Sequence, residues 1–149
     1  MRALVQRVGW AEVVADGRNV GRIEAGLLVY VAVGVDDTRA DAEWLAAKIA
    51  DLRIFEDEEG KLNMSVRDAR GGVLAVSNFT LLADARRGRR PAFADAAPAE
   101  QAEPIHEAFV AALRGQALNV ATGLFGARMA IRCRADGPVN VVIDTPPNQ

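Results

Sequence analysis

The first third of the chain has the distribution of apolar and polar residues that β-strands show. Short apolar segments occupy residues 3–5 and 10–15, and Asp16-Gly17 has the residue types of a tight turn between two strands. Residues 27–33 form a continuous apolar run, which is typical of a strand buried on both faces. These patterns predict that the chain begins with a group of neighbouring strands.

Two later segments have the 3.6-residue period of a helix. In the first, Thr38 and Asp41 approximate a capping box, and apolar residues then fall on one stripe until the segment ends near residues 53–55. The second is predicted over residues 98–114, where Pro104 forces a kink or marks the start of the regular helix. We expect its buried face to consist of Ala102, Ile105, Phe109 and Ala112.

Strand patterns return between and after the helices. Residues 73–76 are continuously apolar, and residues 127–134 alternate between apolar and largely basic positions. Residues 139–143 form a last strand after a turn at residues 136–138. The order of strands, helix, strand, helix and strands predicts one α/β domain over residues 1–149, with helices on a mainly β scaffold.

Composition and charge narrow the classes of function. The formal net charge of −2 provides no overall attraction to nucleic acid, so any contact with RNA has to come from a local cluster of positive charge. One cysteine cannot form an internal disulfide, which fits a reducing compartment. The N-terminal segment is expected to form strands and not a signal peptide, and no apolar run in the sequence approaches the roughly 20 residues that cross a bilayer. We therefore expect a cytoplasmic protein without a membrane partner.

The chain has few of the side chains that familiar hydrolases use. Its one histidine, His106, lies beside the predicted buried face of the second helix, which indicates a solvent-facing position. Cys133 falls on the apolar side of a strand, which favours an inert buried thiol over a nucleophile. The acidic residues 57–59 are expected to form a solvated turn, and the sequence has neither zinc-type ligand spacing nor a phosphate-binding glycine loop. We expect no metal and no cofactor.

Two segments carry a family resemblance: residues 77–81 read SNFTL, and residues 136–140 read DGPVN. They are similar to the Ser-Gln-Phe-Thr-Leu and Asn-x-Gly-Pro-Val-Thr motifs, respectively, of one enzyme family, the D-aminoacyl-tRNA deacylases. The sequence departs from the motifs at Asn78, Asn140 and Ala135, which replace glutamine, threonine and a frequent asparagine. These changes bear on rate and substrate preference more than on the class of reaction. Further colinear agreement covers residues 1–8, 52–65, 87–98 and 122–129.

The resemblance implies a layered α/β/β fold with mixed, largely antiparallel β-sheets and two main helices packed on one side. It implies a homodimer that hydrolyses the ester of D-aminoacyl-tRNA, and of mischarged glycyl-tRNA(Ala), with help from the 2′-hydroxyl of the tRNA. Gly137-Pro138 would be a cis peptide that each subunit inserts into its partner's active site to reject L-amino acids. The residues assigned to catalysis are Ser77, Asn78, Phe79 and Thr80, with backbone N–H groups around Phe79 and Thr80 facing the ester carbonyl.

The remaining assignments concern tRNA, and no DNA partner is expected. Phe125 and Met129 would line the pocket for the terminal adenosine, and Arg7 would orient the Gly-Pro turn. The dense basic run would contact phosphates through Arg86, Arg87, Arg89 and Arg90.

Several alternatives stay open on sequence alone. The basic run is also compatible with a solvated loop, the Gly-Pro peptide with an ordinary trans turn, and Phe79 with a place in the core. The rival functions are a relative with altered substrate choice, a catalytically silent RNA-binding module and a structural or interaction domain.

Overall fold

The computed structural model describes residues 1–147, and its central element is the long strand β1 (Arg2–Ala15). Along one edge, β1 pairs antiparallel with β8 (Met129–Asp144) over almost its whole length. Along the other edge, its first half pairs with β3 (Gly26–Ala32) and its second half with β2 (Arg18–Ile23), again antiparallel. β1 is therefore hydrogen-bonded on both sides.

The sheet continues beyond β3 with parallel strands. β6 (Gly72–Ser77) lies beside β3, and β7 (Asn119–Thr122) lies beside β6. Parallel neighbours need a crossover connection, which helices α1 (Arg39–Ala50) and α2 (Ala99–Gly115) provide. The prediction of mixed, largely antiparallel sheets is confirmed.

A small ladder of β4 (Phe55–Glu56) and β5 (Leu62–Met64) is separate from the main sheet. A 3₁₀ turn at Phe79–Leu82 follows β6 directly. Neither helix within residues 1–147 has the length and apolarity that crossing a bilayer would require.

Two apolar layers pack against opposite faces of β3 and β6, because successive strand residues point to opposite sides. Leu27, Val29 and Val31 belong to one cluster with residues of both helices, among them Leu45, Ile49, Phe109 and Leu113. Leu28 and the β6 residues Leu74 and Val76 belong to a second cluster with Val8, Val13 and Ile23. The helices thus lie on one side of the sheet, and the second half of β1 with β2 lies on the other. This confirms the α/β/β layering and explains the uninterrupted apolar run of β3.

The local signals at the first turn and the first helix are confirmed. Asp16 and Gly17 both have positive φ, 51° and 72°. Both halves of the capping box are present: Asp41 Oδ2 accepts the Thr38 N–H at 2.8 Å, and the Thr38 side chain accepts the Asp41 N–H. The Thr38 hydroxyl also donates to Asp41 Oδ2, at 2.7 Å. α1 ends at Ala50, earlier than predicted, because Leu52 packs against the core from the segment after the helix and so prolongs the apolar stripe.

Three other sequence predictions are wrong in detail. Residues 3–5 and 10–15 belong to one strand, β1, and residues 129–144 to another, β8, because each is held by the other along its length. Of the two alternatives for Pro104, the start of the regular helix is excluded, because Pro104 lies inside α2. Cys133 is exposed, because β8 pairs only with β1 and no element of residues 1–147 covers that side chain.

Candidate functional site

An apolar cleft of about 660 Å³ opens at the carboxyl ends of the parallel strands β3 and β6. α2 and the start of β8 close its other sides. Crevices at this edge of a parallel sheet are common ligand sites, and this volume falls in the usual range for small-molecule pockets, roughly 300–1,000 Å³. The cleft is therefore the main candidate for a functional site.

The cleft brings together predicted site residues that are far apart in sequence. Ser77, Asn78 and Phe79 line it from the end of β6, and Phe125 and Met129 line it from the segment leading into β8. Thr80 is exposed on the adjoining turn and does not line the cleft itself. The SNFTL segment and the predicted adenosine pocket thus form one continuous surface.

Asn78 organises the 3₁₀ turn at the cleft. Its N–H donates to the Val31 carbonyl at 2.8 Å, which ties the turn to the end of β3. Its side-chain Oδ1 accepts the Thr80 N–H at 3.2 Å and also the Thr80 hydroxyl, as a short amide at an N-cap does. Both donors of Thr80 are therefore engaged within the turn. The N–H of Phe79, the first residue of the turn, has no acceptor within the turn itself.

Two aromatic side chains stand at the mouth of the cleft. Phe79 is 55% exposed and Phe93 is 38% exposed, and their rings meet edge to face with centroids 5.1 Å apart. The exposure of Phe79 excludes the alternative that it belongs to the core. Phe93 was not among the predicted site residues, although it lies in the stretch 87–98 that resembles the family.

His106 lies in the cleft wall, so the prediction of a solvent-facing histidine is wrong. The residue is only 7% exposed, and its ring centroid is 5.8 Å from that of Phe125 and 6.4 Å from that of Phe109. The spacing could have shown this, because His106 follows Ala102 by four residues and precedes Phe109 by three. The buried stripe of α2 is Ala102, His106, Phe109, Val110 and Leu113.

Burial determines the protonation state of His106. Desolvation disfavours the imidazolium form and lowers the pKa of His106 to about 4. The ring is therefore neutral at pH 7, and its Nδ1 is fully covered without a hydrogen-bond partner among the described residues.

The Gly-Pro segment forms an outward bulge in β8. Val8 pairs with Ala135 and Gln6 pairs with Asn140, so residues 136–139 stand opposite Arg7 alone. Gly137 and Pro138 are exposed, the peptide between them is cis, and neither residue lines the cleft of its own chain.

Gly137 is required by its surroundings. Its φ is 153°, and a Cβ added there would lie 2.3 Å from the Val139 nitrogen.

Arg7 anchors this bulge from inside the protein. The guanidinium is buried, and its Nε donates to the Asp136 carbonyl at 3.0 Å while Nη1 donates to the Ile54 carbonyl at 2.9 Å. The carboxylates of Asp136 and Glu56 lie 3.4 and 3.8 Å from its nitrogens. Arg7 therefore binds the residue just before Gly137-Pro138, and its role in orienting that turn stays a prediction.

The arginine run occupies a loop between the 3₁₀ turn and Phe93. Mutual backbone hydrogen bonds of 2.8 and 2.9 Å between Asp84 and Ala92 close this loop next to the mouth of the cleft. Arg86 forms a two-pronged ion pair with Asp84, at 2.8 Å for both contacts. The other three side chains are exposed and form no ion pair within residues 1–147: Arg87, Arg89 and Arg90.

No group of three His, Cys, Asp or Glu side chains in the described part of the chain is arranged to hold a metal ion.

Comparisons with known proteins identify the family of the chain. The family model "D-Tyr-tRNA(Tyr) deacylase" matches residues 4–144. Curated D-aminoacyl-tRNA deacylases of Thermotoga petrophila and Opitutus terrae are 52% and 53% identical over 145 and 146 residues, with 97% of this chain and 97% of each relative covered.

Two solved structures share the fold. One, described as "c-Myc DNA Unwinding Element Binding Protein", has a TM-score of 0.92 at 38% identity and covers 99% of this chain and 100% of that chain. The other, described as "a probable eukaryotic D-amino acid tRNA deacylase", has a TM-score of 0.82 at 17% identity and covers 95% and 97%.

The fold and the full-length relatives define a hydrolase of the deacylase class, which acts on a carboxylic ester bond. The chain belongs to the D-Tyr-tRNA(Tyr) deacylase family.

The lowered pKa of His106 predicts a pH-dependent loss of stability. Between its ordinary value of 6.5 and about 4, the unfolded chain binds a proton that the folded chain does not, so stability falls as pH falls through this window. Urea unfolding at pH 7 and pH 4.5 should show a loss for the wild type that exceeds the loss for His106→Phe by roughly 2–3 kcal/mol. The carboxylates are the same in both proteins, so their contribution cancels. Equal losses in the two proteins would contradict a neutral buried imidazole.

Proposed function

We propose that this protein is an editing hydrolase that cleaves the ester between a D-amino acid and the terminal ribose of tRNA, releasing the free amino acid and tRNA. The observation that carries the proposal is the single cleft lined by both Phe79 and Phe125, from two separate family-like segments of a chain that belongs to this family. A cytoplasmic location follows from the substrate, because aminoacyl-tRNA is made and used there.

The cleft offers hydrogen-bond donors for the ester carbonyl. The N–H of Phe79 is the donor left without a partner within its turn, whereas the N–H of Thr80 is occupied by Asn78. A fixed donor that faces the developing oxyanion contributes about 2.7–4 kcal/mol to transition-state stabilisation. We assign the role of oxyanion donor to the N–H of Phe79. Asn78, Thr80 and Ser77 hold the turn in place and keep its hydroxyl groups at the cleft.

The protein supplies positioning more than acid–base chemistry. Thr80 donates its hydroxyl proton to an amide oxygen, which is not a base that could activate a nucleophile. An aminoacyl ester is already reactive, and the neighbouring 2′-hydroxyl of the ribose lies next to the bond that breaks. In this mechanism water adds to the carbonyl carbon and the bond to the ribose 3′-oxygen breaks. The 2′-hydroxyl relays a proton from the attacking water to the leaving 3′-oxygen.

Chirality is enforced by the exposed backbone bulge at Gly137-Pro138 of a partner subunit. Carbonyl groups of this bulge hold the α-ammonium group of the substrate, and with the ester also fixed only one direction is open to the side chain. An L side chain then collides with the bulge, while a D side chain points away from it. Glycine has no side chain to collide, so mischarged glycyl-tRNA(Ala) is also a substrate. The bulge does not line the cleft of its own chain, which supports delivery from a second copy.

An exposed apolar surface supports a homodimer. Leu4 pairs across the sheet with Tyr30 on one side and Val142 on the other, so the three side chains lie side by side on one face. Val142 is 60% exposed, and β8 pairs with β1 alone within residues 1–147, which leaves its outer edge unpaired. We propose that a second copy covers this face and edge and brings its bulge to the cleft.

Deacylation rates with D- and L-aminoacyl-tRNA test the proposed function. Purified protein should release D-tyrosine from D-tyrosyl-tRNA and glycine from glycyl-tRNA(Ala), while L-tyrosyl-tRNA decays only at its spontaneous rate. Radiolabelled aminoacyl-tRNA measured over time gives the three rates. Equal rates with D- and L-tyrosyl-tRNA would contradict the chiral assignment, and binding of all three without cleavage would favour a silent RNA-binding module.

Dimerisation is expected to depend on the exposed apolar face. Val142→Asp should shift the protein from dimer to monomer in sedimentation velocity and abolish deacylation, because an unpaired carboxylate would be buried in the interface. Val20→Asp is the matched control, since Val20 is also an exposed strand valine, 40% exposed, on the distant β2. A wild-type protein that sediments as a fully active monomer would disprove the cross-subunit mechanism.

The arginine loop predicts salt-dependent binding of tRNA. Arg89→Ala should weaken binding of uncharged tRNA and reduce the slope of log Kd against log salt by about 1, because one phosphate contact is lost. Arg18→Ala, an exposed arginine of β2 without an ion pair in the described chain, is the control and should leave the slope unchanged. An unchanged slope for Arg89→Ala would show that the loop is only solvated.

A further inference from the structure

His106 has an unusual position for a residue that the proposed chemistry does not use. It is a polar ring, 93% covered, in the wall of an apolar cleft, and it lies next to the ring of Phe125. Buried polar groups normally have hydrogen-bond partners, and each one left without a partner destabilises the folded state. The arrangement therefore requires an explanation.

Neither ring nitrogen has a partner within residues 1–147. Nδ1 is fully covered and makes no hydrogen bond. Nε2 also makes no hydrogen bond, but it is not sealed from solvent as Nδ1 is. Because the ring lines the cleft, Nε2 is the nitrogen that a molecule in the cleft can reach.

The two environments favour one tautomer. A buried N–H without an acceptor is rarer in proteins than a buried acceptor without a donor. The covered Nδ1 is therefore best assigned as the unprotonated nitrogen of the ring. The proton of the neutral ring then sits on Nε2, where it is a donor directed at the cleft. A donor beside an aromatic ring suits a heteroaromatic ligand that stacks on the ring and presents an acceptor nitrogen at its edge.

We propose that His106 is a base-binding residue, whose Nε2–H donates to a ring nitrogen of the substrate's terminal adenine while Phe125 contacts the face of that base. This inference rests on the proposed function, because it takes the terminal nucleoside of tRNA as the occupant of this part of the cleft. The hydrogen bond would recognise the edge of the base, in addition to the stacking contact on its face. It also explains why a polar side chain that catalysis does not use is buried here.

A thermodynamic cycle with a small probe tests the contact without depending on catalysis. Adenosine 5′-monophosphate and its 1-deaza, 3-deaza and 7-deaza analogues, each lacking one ring nitrogen, are titrated by NMR against wild-type protein and His106→Phe. For the wild type, one analogue should bind roughly three- to tenfold more weakly than the parent nucleotide, which is the effect of one net hydrogen bond. For His106→Phe, the parent and that analogue should bind equally.

Two further variants separate a lost hydrogen bond from damage to the cleft. His106→Gln keeps an N–H donor near the position of Nε2 and should retain a preference for the parent nucleotide, which also keeps the test informative if His106→Phe does not fold. Phe125→Leu should weaken all four nucleotides by a similar factor, because it removes the aromatic contact and leaves the donor.

Deacylation kinetics provide an independent measurement. His106→Phe should raise the KM for D-tyrosyl-tRNA several-fold with kcat unchanged, since the base contact is the same in the ground and transition states. No measurable binding of the parent nucleotide at millimolar concentration, or equal binding of all analogues by the wild type, would overturn the role of His106. Failure of the proposed function is recognised separately, by wild-type protein that leaves D-tyrosyl-tRNA intact.

Discussion

The pairing of β1 with β8 is the contact on which the rest of the structure depends. It joins the two ends of the chain in one sheet, because β1 begins at Arg2 and β8 ends at Asp144. β8 in turn places Met129, and the segment that carries Phe125, across the cleft from the turn that follows β6. Without this long-range pairing, the two halves of the site would have no fixed relation to each other.

The same pairing contains the largest irregularity of β8, the bulge at residues 136–139. Four residues of β8 stand opposite a single residue of β1, and that residue is a buried arginine. A buried guanidinium is costly unless it is paired, and Arg7 donates to the carbonyls of Asp136 and Ile54 and lies near the carboxylates of Asp136 and Glu56. The cation therefore fixes the base of the bulge to the segment just before β4. The proposed insertion of this backbone into a partner subunit would need this kind of internal support.

The cleft itself is built to hold and orient a ligand. Asn78 engages both donors of Thr80, His106 is neutral, and the surrounding side chains are largely apolar. In the proposed mechanism such a site contributes fixed donors, stacking surfaces and exclusion of water, and proton transfer falls to groups of the substrate and to water. An ester next to a free hydroxyl is a substrate for which this division of roles is chemically sufficient.

Sequence alone determined the features that depend on neighbours in the chain. The capping residues Thr38 and Asp41, the turn at Asp16-Gly17 and the doubly buried run of β3 could all be read from local patterns. The SNFTL and DGPVN segments placed the chain in its family, and the order of elements indicated the α/β class. These signals are local because a cap, a turn or a strand is stabilised by residues only a few positions apart.

Tertiary structure decided which side chains are covered and which ones meet. Cys133 alternates like a buried residue but is exposed, because no element packs over it within the described chain. The spacing in α2 is compatible with a buried His106, but its contact with Phe125 depends on the packing of the segment before β8 against the helix. The bulge at residues 136–139 depends on its register against β1, which no pattern within β8 specifies. Burial and register are properties of pairs of elements distant in sequence, so the cleft and the exposed backbone of the bulge arise only when those elements pack together.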